Sequence, residues 1–151
     1  MNAAIDAKGN RVVSNLMAFY ENFSAERISA LDSLYTQDAE FVDPIHKVEG
    51  ILSLKNYLRK MAKNLVHYRI RYQDVLIGEN SAYLTWEMEF ANKRIRGGEV
   101  ITVRGMSCLK FTSRVYYHED SYDLGALLYE HLPVLGGITR SLKHRLAEQD
   151  S

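Results

Sequence analysis

Four polar side chains fall on one otherwise apolar strand face late in this 151-residue chain: Ser107, His118, Asp120 and Tyr122. Side chains alternate along a strand with a period of two, so His118 and Asp120 point the same way. An imidazole and a carboxylate so placed can work as an oriented acid–base pair, or stand as a satisfied buried pair that shapes a pocket; a water held between them would suit either reading. Polar groups among apolar neighbours cost free energy unless each finds a partner or a ligand. A further candidate is Asp43, in the run Glu-Phe-Val-Asp-Pro at residues 40–44. Pro44 has no amide hydrogen and biases Asp43 toward extended backbone, which puts the carboxylate at a strand end. In a partly desolvated pocket it would be a general base; otherwise it is an Asp-Pro turn that closes a strand. His46 follows closely enough to reach the same pocket mouth. Asp43, His46, His118 and Asp120 could be imagined around a metal, but their spacing is no recognised ligand motif and none is expected.

The elements that must position these residues follow from apolar periodicity. Val12, Leu16, Phe19, Tyr20 and Phe23 recur at steps of three and four, predicting a helix over residues 11–23. Ser24 can cap a second helix that carries Glu26 in its first turn, buries Ile28, Leu31, Leu34 and Tyr35, and ends near Gln37. A short strand over 39–43 leads past Gly50 to a third helix, about 51–64, with Leu54, Tyr57, Leu58, Met61 and Leu65 in register. From Val66 the period changes to two. Turns at Gly78-Glu79-Asn80, Arg96-Gly97-Gly98 and Ser113-Arg114 divide the remainder into four strands, about 66–77, 81–92, 99–112 and 115–123.

Closing each hairpin at its turn fixes a register that sets Ser107 opposite Asp120. One face then collects Val66, Tyr68, Ile70, Tyr72, Leu84, Trp86, Met88, Phe90, Val103, Leu109 and Phe111 with the four polar groups. The aromatic residues and Met88 read as core or pocket wall. The opposite face places Arg71, Glu87, Arg104 and Asp123 nearly in a row, a solvated or dimer-facing charge ladder whose alternation opposes register slips.

Bulk composition narrows the function classes. Forty-six per cent apolar, 11% aromatic and 25% charged residues describe one ordinary globular domain. Nineteen basic and nineteen acidic side chains cancel, so no net field favours nucleic acid, and none is expected as a partner. The single Cys108 excludes an internal disulfide and suits a reducing compartment. Residues 1–11 hold no apolar secretory segment, and no run approaches the ~20 apolar residues that span a bilayer, so a cytoplasmic location is expected. Neither Gly97-Gly98 nor Gly136-Gly137 sits in a strand–loop–helix phosphate motif, and no cofactor is expected.

The order of elements, the run Glu-Phe-Val-Asp-Pro and the run Tyr-Tyr-His-Glu-Asp-Ser-Tyr-Asp-Leu-Gly at residues 116–125 resemble the SnoaL-like branch of the nuclear transport factor 2 superfamily, over about residues 11–124. The resemblance implies an α+β, cone-shaped nuclear transport factor 2-like fold, with N-terminal helices packed on a strongly curved antiparallel sheet, in a homodimer. It implies a pocket for a small apolar molecule, with isomerase, cyclase or hydrolase acid–base chemistry as one reading and a non-catalytic ligand-binding or regulatory module as the other. Asp43 matches the strand-end base of ketosteroid isomerase, while the isomerase's helix tyrosine falls at Phe19, beside Tyr20, and its second acid at Ser107. Asp120 matches the first aspartate of a stretch shared by epoxide hydrolases and cyclases, with His118 where they carry tryptophan. The expected catalytic set is Asp43, His118 and Asp120. The expected pocket wall is Phe19, Tyr20, His46, Tyr68, Trp86, Met88, Ser107 and Tyr122.

Residues 1–10 are expected to be a flexible N-terminus and 125–151 a C-terminal helical extension in two pieces joined about Pro133 and Gly136-Gly137. Its leucines and the basic run Arg140, Lys143, His144 and Arg145 suit a lid, a dimer contact or peripheral docking on an anionic membrane surface.

Overall fold

The computed structural model describes residues 3–123 and 142–147. Helix α1 (Ala3–Glu21) starts eight residues before the expected position, and its N-terminal half packs against the turn that joins the third and fourth strands. Gly9 makes the approach possible, since a Cβ there would meet Ile77 Cγ2 at 3.3 Å and the Gly78 carbonyl oxygen at 3.4 Å. Val13, Leu16 and Phe19 form its buried stripe.

The expected second helix divides. Ala25–Ala30 form a 3-10 segment behind Ser24, whose extended backbone makes a cap position without a side-chain cap bond. Helix α2 (Leu31–Leu34) adds a single turn, and strand β1 (Tyr35–Val42) begins at once. Tyr35 is therefore a strand residue rather than the last buried position of a helix. Tyr and Thr at 35–36 suit an extended backbone, and pairing supplies what local helical spacing could not. The chain turns at Asp43–His46 into strand β2 (Lys47–Glu49), which the sequence reading did not anticipate, and Gly50, at φ 87°, leads into helix α3 (Ile51–Lys63). Ile51, Leu54 and Leu58 face the core, whereas Met61, expected on that stripe, is 42% exposed.

Strands β3 (Leu65–Ile77), β4 (Ser81–Asn92), β5 (Ile101–Phe111) and β6 (Val115–Tyr122) follow the expected hairpins. The sheet order is β2-β1-β6-β5-β4-β3. Every neighbouring pair is antiparallel except β1 with β6, which run parallel with Phe41 beside His118. The expected register holds from Tyr68–Phe90 to Tyr72–Trp86, along all of β4–β5, and at Ser107–Asp120. It shifts at irregularities between Leu65 and His67 and between Tyr72 and Val75. The first of these leaves Val66, expected on the apolar face, 60% exposed.

On the outer face Arg71 reaches Glu87 at 3.3 Å and Glu89 at 3.0 Å, and Arg104 reaches Glu87 at 3.3 Å. Asp123 leaves this ladder and pairs with Lys143 at 2.6 Å. Residues 142–147 are helical with exposed side chains. The expectations for the rest of the C-terminal extension, Pro133 and Gly136-Gly137 included, lie outside the described residues.

The core has two parts. One joins α1, α2 and α3 to Leu84, Leu109, Phe111 and Val115; the other gathers Trp86, Phe90, Ile101 and Val103. Residues from both parts line a cavity of about 760 Å³ against the inner face of the sheet.

Candidate functional site

Strand alternation brings Ser107 and Asp120 together across β5 and β6, and β6 adds His118 two residues away. Ser107 Oγ donates to Asp120 Oδ1 at 2.5 Å, and Trp86 Nε1–H donates to Ser107 Oγ at 2.9 Å. His118 Nε2 lies 2.7 Å from the same Oδ1, so the two side chains touch directly without an intervening water. Asp120 Oδ2 has no partner among the described residues, and the residue lines the cavity.

The hydrogen bonds continue on the far side of the imidazole. His118 Nδ1 is 2.7 Å from the Tyr35 hydroxyl, which is itself 2.7 Å from the Tyr20 hydroxyl. Tyr35 is fully buried behind the cavity wall, while Tyr20 and His118 lie on it. The Phe41 ring packs 4.7 Å from the imidazole, and the Tyr20 ring meets it edge-on at 5.7 Å. Burial pushes the Tyr20 and Tyr35 phenols well above their ordinary range, with Asp120's charge adding to both, so each remains a neutral donor.

Asp43 is held differently. Its Oδ1 accepts the amide hydrogens of Ile45 at 2.8 Å and His46 at 2.7 Å, and its Oδ2 accepts the Tyr57 hydroxyl. The strand-ending turn and the pocket position are thus one feature, since the carboxylate that ties the turn also borders the cavity. His46 Nδ1 stands 3.9 Å from Asp43 Oδ1 with its side chain half exposed at the cavity mouth. Burial, then Asp43's hydrogen bond and charge, hold the Tyr57 phenol far above its ordinary range. Tyr122 is raised by burial and then by the charges of Asp43 and Asp120 together, so both carboxylates act on one interior.

Of the expected pocket residues, Tyr20, His46, Tyr68, Trp86, Met88, Ser107 and Tyr122 all line the cavity. Phe19 does not. It lies in the core, edge-on to Tyr20 at 5.0 Å, because the neighbouring helix position faces the cavity instead. Sequence reasoning missed Tyr57 and Tyr35 as members of the site. Tyr57 could have been found as the one phenol in the apolar stripe of α3, whose hydroxyl needs a partner when buried; Tyr35 could not be placed while it was read as helical. Among the described residues no group of three or more His, Cys, Asp or Glu side chains could hold a metal, and no helix is long and apolar enough to cross a membrane.

A curved, unclosed sheet wrapped around helices, with a polar-floored cavity between them, defines a cone-shaped α+β domain of the nuclear transport factor 2-like class. The family model described as "SnoaL-like domain" matches residues 16–114, about two thirds of the chain, and the chain belongs to that family. The match stops short of His118 and Asp120. The fold is similar to that of a candidate SnoaL-like polyketide cyclase from Jannaschia sp. CCS1, at 13% identity and a TM-score of 0.69, covering 80% of this chain and 90% of that one. A candidate SnoaL-like polyketide cyclase from Shewanella putrefaciens CN-32 aligns at 16% identity and a TM-score of 0.67, over 79% and 92% of the two chains. TerC, crystallised with polyporic acid, aligns at 17% identity and a TM-score of 0.65, over 77% and 94%. At these identities the likeness is one of fold. No curated protein matches the sequence.

Proposed function

We propose that the chain binds a small, neutral, largely apolar molecule in this cavity and acts on it by acid–base chemistry that uses side chains alone, with Asp120 as the base. The cavity size lies within the ordinary range for small-molecule sites. Among the described residues that line it, the Lys side chains, Lys47 and Lys60, are exposed and there is no Arg, so no permanent cation stands inside to pair with a ligand that enters as an anion. The observation that carries the reading is the Asp120 carboxylate on the cavity wall, fixed through Oδ1 by Ser107 and His118 while Oδ2 has no partner among the described residues. That is how a base is held in orientation without being neutralised. Asp43 has two backbone donors and Tyr57 on its oxygens, so its part is to position the Tyr57 hydroxyl. Protonated Tyr122 would then donate to an oxygen of the bound molecule as charge develops there, while Tyr57, its one hydrogen committed to Asp43, offers the cavity only lone pairs.

The same cavity in a carrier would bind without turnover, and the fully satisfied Asp43 favours that second reading. Native mass spectrometry of the protein purified from its own host, with identification of any retained molecule, supplies the compound to test. Asp120→Asn should keep its affinity while turnover falls by about 10²- to 10⁴-fold, the usual contribution of a positioned acid or base. A wild-type protein that binds the compound without changing it would establish the carrier instead.

A further inference from the structure

The four-membered chain Asp120–His118–Tyr35–Tyr20 is longer than positioning a single carboxylate requires, and its two ends both border the cavity. Its direction follows from chemistry. A carboxylate only accepts, so His118 Nε2 carries a hydrogen toward Asp120 Oδ1; in the neutral ring Nδ1 is then an acceptor. Tyr35 must donate to Nδ1, and its oxygen, already committed as that donor, accepts the hydrogen of Tyr20. With His118 neutral, Tyr20 therefore shows the cavity an oxygen with lone pairs only. With His118 protonated, Nδ1–H donates to Tyr35, Tyr35 donates to Tyr20, and the Tyr20 hydrogen is freed into the cavity.

We propose that Tyr20 is the hydroxyl that exchanges a proton with an oxygen of the bound molecule, and that Tyr35 is the positioning residue that connects it to His118. The molecule is then one with a hydroxyl or enolisable carbonyl within reach of α1. From a ligand hydroxyl, one proton moves to Tyr20 as Tyr20's moves to Tyr35 and Tyr35's to His118 Nδ1. Three bonds to hydrogen break and three form. The net change is a ligand oxyanion that accepts from Tyr20 and an imidazolium beside the Asp120 carboxylate, with no other reactant. The ionisable groups against His118 are Tyr20 on α1, Tyr35 on β1 and Asp120 on its own strand, and the uncharged Phe41 ring also packs against the imidazole. This layout is the logic of a carboxylate-oriented histidine acting on a hydroxyl, with one extra hydroxyl in series.

The proposal rests on the cavity being the ligand site, and the test keeps the two apart. Nitrogen NMR of the histidine rings in the full chain, with His118 assigned by its loss in His118→Gln, reads the network without any ligand. The neutral ring should carry its hydrogen on Nε2. Tyr35→Phe should shift the Nδ1 resonance and leave Nε2 in place, Tyr20→Phe should shift Nδ1 the same way by less, and Asp120→Asn should shift Nε2. Should Tyr35→Phe not fold, Tyr20→Phe carries the same reading. A neutral ring protonated on Nδ1, or an Nδ1 resonance unmoved by Tyr20→Phe, overturns the proposal. Naphthol and naphthalene, of nearly equal shape, then test the cavity end. Naphthol should shift His118 Nδ1 in the wild type and not in Tyr20→Phe, and naphthalene should shift it in neither. Equal shifts from naphthol in both proteins would overturn Tyr20's role, whereas cavity resonances unmoved by either compound would overturn the ligand site on which the proposal rests.

Discussion

Two carboxylates in one cavity are held in opposite ways, and the difference assigns their work. Asp120 spends one oxygen on Ser107 and His118 and leaves the other open, while both oxygens of Asp43 are engaged, two of the three donors being backbone amides of the turn it ties. Removing the Asp43 side chain strands those amides and the Tyr57 hydroxyl together. Hydrogen bonds to a charged group are worth about 1.5–3 kcal/mol, and unpaired buried donors add their own penalty. Asp43→Ala should therefore destabilise the fold by about 2–4 kcal/mol in urea denaturation, and Asp43→Asn by clearly less, because an amide oxygen still accepts from Ile45 and His46. Equal losses in the two variants would show that the turn does not depend on this acceptor, and Asp43 would return to the list of candidate bases.

At the scale of elements, the pairing of β4 with β5 puts Trp86 directly opposite Gly105, and the indole lies across the glycine. A Cβ at residue 105 would stand 2.3 Å from the Trp86 ring, a distance no side chain tolerates. Trp86 could relieve the clash only by swinging away from Ser107, whose hydroxyl it bonds, and so by loosening the support of Asp120. Gly105→Ala should cost about 1–3 kcal/mol, the usual range for overpacking, and the added effect of Trp86→Leu in the same chain should be smaller than the sum of the two changes alone. Additive losses in urea denaturation would mean that the contact does not set the indole's place. These strands were legible in the sequence because turn chemistry, alternation and opposed charges all agreed on one register, which is why Ser107 and Asp120 could be paired in advance. Tyr35 was not legible. Leu31, Leu34 and Tyr35 keep helical spacing, and the partner that pulls Tyr35 into a strand is β6, with His118 83 residues away. Parallel pairing over such a separation leaves no local signature, so Tyr35 stayed hidden although the other three members of the hydrogen-bonded chain, Tyr20, His118 and Asp120, were recognised.

Across the whole molecule, phenols from α1, β1, α3, β3 and β6 converge on the cavity, and their protonation ties its integrity to alkaline pH. Tyr20, Tyr35, Tyr57, Tyr68, Tyr72 and Tyr122 are all held above the ordinary value of 10.0, with burial the largest cause in each. A raised phenol in the fold means that the folded chain keeps protons which the unfolded chain releases. The resulting stability is fully present below the ordinary phenol value and is lost as pH rises above it toward the folded value. Each phenol that stays protonated only in the fold lowers stability by about 1.4 kcal/mol per pH unit in that window. Tyr35, with none of its surface exposed, carries that full slope, and Tyr20, with an edge on the cavity, somewhat less. A net stability of about 5–15 kcal/mol would be consumed within a few pH units by several such groups acting together. The urea midpoint should therefore be insensitive to tyrosine ionisation up to about pH 9 and then fall steeply, with near-ultraviolet tyrosinate absorbance rising in step with loss of the fold. Tyr35→Phe, if it folds, should make the fall shallower, since one releasable proton is gone. Smooth ionisation of all ten tyrosines near pH 10 in a protein that remains folded would mean that water reaches these hydroxyls, and a cavity floor open to water in that way could not hold the directed hydrogen bonds on which the acid–base reading depends.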